Sequence, residues 1–364
     1  MKILVGLSWG VDSAVAAYLL QQAGHEVVAG FMINYTDDSN PNCPTKADWQ
    51  SAKEVCKYLN LPFETFDYRQ EYEKLILDYI YDGYLSWITP NPDVYCNNLV
   101  KFGLFQKEAL EMWFDAIATG HYARIVKSDY ISDIYTWDKN NNLTYELLRW
   151  VDYHKDQSYF LSWLTQDQLS KALFPLWEYT KPQIRQLAQD IWLPNANRPD
   201  SQWLCFVGKV NMKDFLIAKI GKKPGYIYDL AGKIVWNHDG AYTYTIGQRR
   251  QIGLNFQCYV CDVDVVANTV TVAKIGEDAV LYTDNIYIHD CNWINGFMAG
   301  KYTTKIRYRQ EPIPCILISK PNYLGWDNIY NLTFSDSVKW IANGQIAVIY
   351  NDDRVVGNGV ISLI

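Results

Sequence analysis

An apolar run, Ile3 to Leu7, passes through the short polar turn Ser8-Trp9-Gly10-Val11-Asp12-Ser13 into an amphipathic stretch, Ser13 to Gln22. This strand, tight loop and helix in succession constrains the fold more than any other feature of the chain. A parallel strand leading directly into a helix belongs to an α/β sheet, and it leaves the helix N-terminus facing whatever lies beyond the strand end. The first amides of a helix have no partner within the helix and carry partial positive charge, so an anion, above all a phosphate, is the ligand this geometry favours. Gly10 admits close backbone approach, and Ser8 and Ser13 add hydroxyls. The loop is too short for a Walker A cradle and lacks its lysine.

The same rhythm continues. Strands are expected at Glu26 to Ile33, near Pro62 to Asp67 and at Asp115 to Thr119, with a helix over Ala47 to Leu59 and helices flanking Pro90 to Pro92. In such sheets ligands gather beyond the carboxyl ends of the strands. The Ser8 loop, the stretch after Phe31-Met32 and the turn Thr119-Gly120-His121 all fall there. Helical patterning resumes over Tyr159 to Asp190 and ends in the loop Leu193 to Ser201. After about Phe206 the pattern changes to short alternating runs: Tyr226 to Asp229, Tyr242 to Ile246, Tyr259 to Val266 and Thr269 to Ala273, then Ile286 to His289, Thr303 to Arg309, Cys315 to Ile318, Tyr330 to Phe334 and Ala347 to Tyr350. Three domains are expected, over residues 1–206, 207–281 and 282–364, the last two rich in β structure.

The 364 residues open on a strand without a basic or apolar leader, and no stretch has the length and uniform apolarity of a membrane span. A cytoplasmic protein is expected. A net charge of −7 argues against indiscriminate nucleic-acid binding but leaves room for local basic patches such as Lys209, Lys213, Lys219, Lys222 and Lys223, or Lys301, Lys305, Arg307 and Arg309. Eight scattered cysteines do not resemble a secreted disulfide framework. Two have unusual settings. Cys96 follows Thr89-Pro90-Asn91-Pro92-Asp93, whose prolines stiffen the entry to a helix, a position that favours thiolate. Cys205 lies in Pro199-Asp200-Ser201-Gln202-Trp203-Leu204-Cys205, past a long polar loop. Cys258 and Cys261 form a C-x-x-C, but residues three apart on a strand face opposite sides and no second pair completes a metal site.

The N-terminal loop resembles the PP-loop, usually Ser-Gly-Gly-x-Asp-Ser, and the resemblance extends along the whole chain to the bacterial tRNA-specific 2-thiouridylases. It is carried by that loop, the Thr-Pro-Asn-Pro-Asp block with Cys96, Ala118 to Arg124, Lys155-Asp156-Gln157-Ser158-Tyr159-Phe160, the Asp-Ser-Gln block with Cys205, Tyr244 to Arg249 and Lys305 to Arg309, all in the family's order. The resemblance implies a PP-loop α/β domain, a small β-rich middle domain that touches tRNA and a C-terminal β-barrel. It implies ATP, with Mg²⁺, held by Gly6, Leu7, Ser8, Gly10, Val11, Asp12 and Ser13, by Met32 and by Gly120, without a dedicated protein metal cage. It implies a persulfide on Cys205, received from a sulfur-donor protein, a nucleophilic role for Cys96, and Asn91, Pro92 and Asp93 around the target uridine, Asp93 also serving catalysis. His121, Lys155, Asp156, Gln157, Arg307, Tyr308 and Gln345 match positions that touch tRNA.

One departure is systematic. Trp9, Trp87, Trp113, Trp150, Trp177, Trp192, Trp203 and Trp236 occupy positions where the family has glycine. The expectation is that the source organism reads UGA as glycine and that these codons have been rendered as tryptophan. If the indoles are genuine, the alternative is a catalytically impaired relative that still binds tRNA.

Overall fold

The structure, a computed structural model, describes residues 1–36, 45–128, 144–199, 211–321 and 328–363. Cys205, Trp203 and Lys209 lie outside the described residues. The first domain is built on a five-stranded parallel sheet. Its strands are β1 (Lys2–Gly6), β2 (Glu26–Ile33), β3 (Phe63–Asp67), β4 (Ala116–Ala118) and, from later in the chain, Ala172–Leu173, in the order β3, β2, β1, β4, then the late strand. Helices α1 (Val11–Gln22) and α2 (Thr45–Leu59) cover the sheet. β1 is buried almost throughout, as a central parallel strand with both faces covered must be, which is why its sequence reads as an unbroken apolar run. Chain order reverses across β1, with β2 on one side and β4 on the other, so the crevice beyond Gly6 is the topological switch point of the sheet.

The hairpin of β5 (Arg124–Ser128) and β6 (Thr144–Leu148) leaves this domain and joins the C-terminal sheet, β6 pairing at Leu148 with Arg354. The late strand Ala172–Leu173 is β7; it interrupts what periodicity reads as helix from Tyr159 to Asp190, because Ile117 and Ala118 offer it an unpaired sheet edge. The small central sheet contains β8 (Gly225–Asp229), β9 (Ile234–His238), β10 (Cys258–Asp264) and β11 (Thr269–Lys274). The expected strand Tyr242 to Ile246 is instead a 3-10 turn at Ala241–Thr243. Its alternation arises because Tyr242 and Tyr244 both turn into the core, with the Tyr242 hydroxyl donating to the Gly221 carbonyl. A bulge after Val260 breaks the alternation of β10: Cys258 is buried, and Cys261 is half-buried with its Sγ 3.3 Å from the Thr271 carbonyl.

In the C-terminal domain, β12 (Tyr282–Trp293), β13 (Gly300–Lys305), β14 (Ile313–Ser319), β15 (Tyr330–Lys339), β16 (Ile346–Asn351) and β17 (Arg354–Ser362) pair in the order β12, β15, β14, β13, β16, β17. β17 pairs back onto β12, so the six strands close a barrel and abolish its edges. The expected run Thr303 to Arg309 stops as a strand at Lys305, leaving Arg307 to Arg309 in a turn at the barrel rim. No helix among the described residues is long and apolar enough to cross a membrane.

Candidate active site

Gly10 caps α1, placing Val11, Asp12 and Ser13 in its first turn. Ser13 Oγ accepts from the Ser8 amide at 3.0 Å and lies 3.1 Å from Ser8 Oγ, while the Gly10 amide donates to Ser8 Oγ at 3.1 Å. The loop is therefore preformed, and Ser8 lies exposed at its lip. Asn195 ties it from behind, its Nδ2 donating to the carbonyls of Trp9 and Gly10 at 3.1 and 3.0 Å. Gly120, just past β4, closes the other wall: a Cβ there would stand 2.6 Å from the Ser13 nitrogen and 2.7 Å from the Asp12 carbonyl carbon. Met32 is buried, its Cε 3.4 Å from where a Cβ on Gly6 would stand. Hydroxyls and a helix N-terminus over a wall with no side chain suit a polyphosphate.

Sequence reasoning passed over the charge at this cradle. Lys181, the first residue of the helix Lys181–Asp190, places Nζ 2.7 and 2.9 Å from the two carboxylate oxygens of Asp12. The Tyr122 hydroxyl completes the ring, donating to Asp12 Oδ1 and accepting from Lys181 at 3.0 Å. No local motif marks Lys181, because the partner lies 169 residues away. Trp9 places its ring under the Arg198 guanidinium, 5.0 Å from the ring centre.

The second element is the Cys96 loop. Thr89 and Pro90 are clamped to the barrel: the Thr89 amide donates to the Asn343 carbonyl at 2.7 Å, and Gln345 Nε2 donates to the carbonyls of Thr89 and Pro90 at 3.1 and 3.4 Å. Gly344 permits this contact, since a Cβ on it would overlap the Ile88 side chain. Asn91 caps the following helix, Pro92–Tyr95, accepting from the Val94 amide at 3.4 Å. Its Nδ2 faces the Tyr159 hydroxyl at 3.4 Å, and that hydroxyl donates to the Ile346 carbonyl of β16. Asp93 lies in the first turn, and Cys96, fully buried, follows one turn later.

From Cys96 to Phe105 the helix is wound as a π-helix, an unusual length for that form. Gln168 steadies it by donating to the Asn98 and Phe102 carbonyls, each at 3.0 Å. This helix couples the two elements. At its far end the Phe105 ring packs over Gly6 at the end of β1 and over its neighbour Gly30 within β2, where a Cβ on Gly30 would stand only 2.8 Å from it.

The expected tRNA-contact residues divide by role. Lys155 is exposed beside this region. Asp156 is buried, accepting from the Trp150 and Ser158 amides at 3.0 and 3.1 Å with Arg149 at 3.5 Å, so it organises the turn. Gln157 Oε1 accepts from the Tyr122 amide at 2.9 Å. His121 sits with Nδ1 2.7 Å from Thr119 Oγ1, its ring 5.9 Å from those of Phe102 and Phe174. Burial, aided by the Lys101 charge, pushes its pKa well below the usual 6.5. Tyr308 packs on Phe160 with ring centres 4.3 Å apart, and Arg307 lies over Trp340. Arg307, Tyr308 and Gln345 on the barrel thus face the Lys155 to Phe160 turn and the Cys96 loop on the first domain. The central-domain lysines are partly neutralised, Lys213 and Lys222 both pairing with Asp239 at 3.0 and 3.3 Å. No group of three or more His, Cys, Asp or Glu among the described residues could hold a metal ion.

Residues 1–209 match the family model described as the tRNA methyl transferase HUP domain, 213–274 the tRNA methyl transferase PRC-barrel domain and 283–361 the aminomethyltransferase beta-barrel domain. The chain is 38% identical over 370 residues to tRNA-specific 2-thiouridylase MnmA 1 of Geobacillus kaustophilus, covering 99% of this chain and 95% of the relative. It is 37% identical to MnmA of Polynucleobacter asymbioticus, covering 99% and 96%, and 35% identical to MnmA of Bacillus cytotoxicus, covering 99% and 94%. With the three domain matches in order and this similarity running end to end, the chain belongs to the tRNA-specific 2-thiouridylase family.

Proposed function

We propose that this protein is an ATP-dependent tRNA-uridine 2-sulfurtransferase acting on the wobble position. The observation that carries this reading is the Cys96 to Phe105 helix, which links the phosphate cradle at one end to a cysteine loop clamped on the barrel at the other. A uridine C2 carbonyl is a poor electrophile with a poor leaving group. Attack of its oxygen on the α-phosphorus of ATP expels pyrophosphate and converts that oxygen into AMP, a competent leaving group. The cradle at Ser8 to Ser13 supplies amides and hydroxyls for the departing pyrophosphate. A Mg²⁺ carried in on the nucleotide would need few protein ligands of its own.

Sulfur arrives as a persulfide on Cys205, loaded by a donor protein. Two balanced routes lead on. The terminal sulfur can attack C2 and displace AMP, after which the Cys96 thiolate attacks Cys205 Sγ, closes a disulfide and frees the thiouridine. Alternatively Cys96 attacks first, closing the same disulfide and releasing hydrosulfide to displace AMP. Both consume one persulfide and leave one disulfide to be reduced. Asn91, Pro92 and Asp93 stand at the mouth of the Cys96 loop, where an unstacked base would enter. Arg307, Tyr308, Lys155 and Gln345 form the adjoining tRNA surface. Cys96 has no solvent exposure, so the loop clamped by Gln345 shifts when tRNA engages.

A second reading, an impaired relative that binds tRNA, is favoured by Trp9 in the cradle. ATP–pyrophosphate exchange with tRNA present separates the two, measured in the parent and in Trp9→Gly plus Trp203→Gly. Exchange in the parent supports the enzyme, exchange in the variant alone supports impairment by the tryptophans, and none in both sinks the enzyme.

A further inference from the structure

The ring of Lys181, Asp12 and Tyr122 has no part in the chemistry above, yet it sits on the phosphate cradle. Asp12 occupies the first turn of α1, where a carboxylate suits the helix but repels an incoming polyphosphate. The Asp12 and Lys181 side chains are only 28% and 12% exposed, so water screens the pair weakly. Lys181 is held in register by the capping box at Thr180 and Gln183. We propose that Lys181 is a positioning residue of the cradle: it neutralises Asp12, so that a nucleotide polyphosphate meets no net negative charge at the start of α1. This inference rests on the reading that the cradle takes ATP.

The test is equilibrium ATP binding, without turnover, in the parent and Trp9→Gly chains, in each with Lys181→Met, Lys181→Arg and the pair Asp12→Asn plus Lys181→Met, with thermal unfolding alongside. Lys181→Met is expected to weaken ATP binding about tenfold or more, the scale of one unit charge lost a few ångströms from a polyanion. Lys181→Arg should restore most of the affinity, and the double variant should bind ATP more tightly than Lys181→Met. A Lys181→Met chain that folds and binds ATP as its host does, or a double variant no tighter than Lys181→Met, overturns the proposal. Should Lys181→Met fail to fold, Lys181→Gln replaces it in the same comparison. Host chains that bind no ATP overturn the nucleotide reading itself.

Backbone geometry carries a second inference independently. Trp87, Trp113, Trp192 and Trp340 have φ of 61°, 62°, 55° and 63°, the left-handed region that a β-carbon disfavours and glycine tolerates. The first three follow helix ends, and in each case the next amide bonds back to the helix: Ile88 to the Gly83 carbonyl at 2.8 Å, Phe114 to Ala109 at 3.0 Å and Leu193 to Ala188 at 2.9 Å. That is the Schellman closure, whose left-handed position is strongly enriched in glycine. These three residues are 46%, 87% and 80% exposed, so packing does not explain an indole. We infer that positions 87, 113 and 192 carry glycine in the natural protein, decoded from UGA; Trp340 shares their φ but packs against Tyr259, Lys339 and Arg307 and is not among them. UGA codons in the gene and glycine in the tryptic peptides of protein from the source organism are expected, and UGG codons or tryptophan-bearing peptides at these positions overturn the inference.

Discussion

Gly120→Ala isolates the geometry of the cradle. The added Cβ would stand 2.6 Å from the Ser13 nitrogen, 2.7 Å from the Asp12 carbonyl carbon and 3.0 Å from Asp12 Cβ, where ordinary contact begins at 3.4 Å. Two of these atoms are backbone, so no rotamer change relieves them, and α1 and the end of β4 must part by about 0.8 Å. Gly120 does not have positive φ, so alanine brings no backbone strain and the whole effect is steric. Overpacking of this kind costs about 1–3 kcal/mol. A displacement approaching 1 Å in a positioning element lowers a rate by about a hundredfold. Urea unfolding should therefore show a lower midpoint for the transition of the first domain, and ATP–pyrophosphate exchange should fall by one to two orders of magnitude. Gly10→Ala serves as the contrast for stability, since its Cβ meets only the movable Ser8 Oγ at 3.2 Å. A Gly120→Ala chain with unchanged midpoint and exchange would show that the cradle is not where or what the structure makes it.

Cys96 should resist alkylation in the free protein, because it is fully buried, and should react faster once tRNA is added; peptide mass mapping reads both rates. Gln345→Ala removes two hydrogen bonds to the Thr89 and Pro90 carbonyls and should cost about 1 kcal/mol of stability while raising Cys96 alkylation in the absence of tRNA. His121, held neutral by burial, should stay unprotonated by NMR as pH falls through 6.5, where a free imidazole takes up its proton; because its native pKa is depressed, acid below about pH 6.5 lowers stability through this residue. Asp48 has its pKa raised to about 6 by burial, only partly offset by Arg198, so its ionisation opposes folding as pH rises from about 4 to 6. Asp48→Asn should then stabilise the chain above pH 6 and make no difference below pH 4, as read by thermal unfolding across pH.

The features legible in the sequence are those whose signal is local. The Ile3 to Ser13 turn, the apolar runs of β1 and β2 and the change to short alternating runs after Phe206 each state their structure within a dozen residues. What sequence left dark is non-local. Nothing in Arg124–Ser128 and Thr144–Leu148 reveals that this hairpin extends a sheet formed two hundred residues later, because edge pairing depends on the partner. β7 was hidden in a helical pattern for the same reason. The alternation of Tyr242 to Ile246 misled because a docked turn can bury every second side chain without any ladder. Asp156 and Gln157 are expected, by resemblance, to touch tRNA, but their partners here are backbone amides supplied by the fold. Lys181 needed the packing of its helix on α1 before its charge had an address.

The central claim is that ATP drives sulfur onto C2 of a tRNA wobble uridine through Cys96 and Cys205. The most direct measurement is mass spectrometry of nucleosides from tRNA incubated with the protein, ATP and a persulfide donor, in the parent, in Trp9→Gly plus Trp203→Gly, and in the latter with Cys96→Ser or Cys205→Ser. An oxygen-for-sulfur mass change at the wobble uridine that requires ATP and both cysteines is the predicted result. Thiolation that persists without ATP or without either cysteine, or that never occurs with the tryptophans replaced, would contradict it.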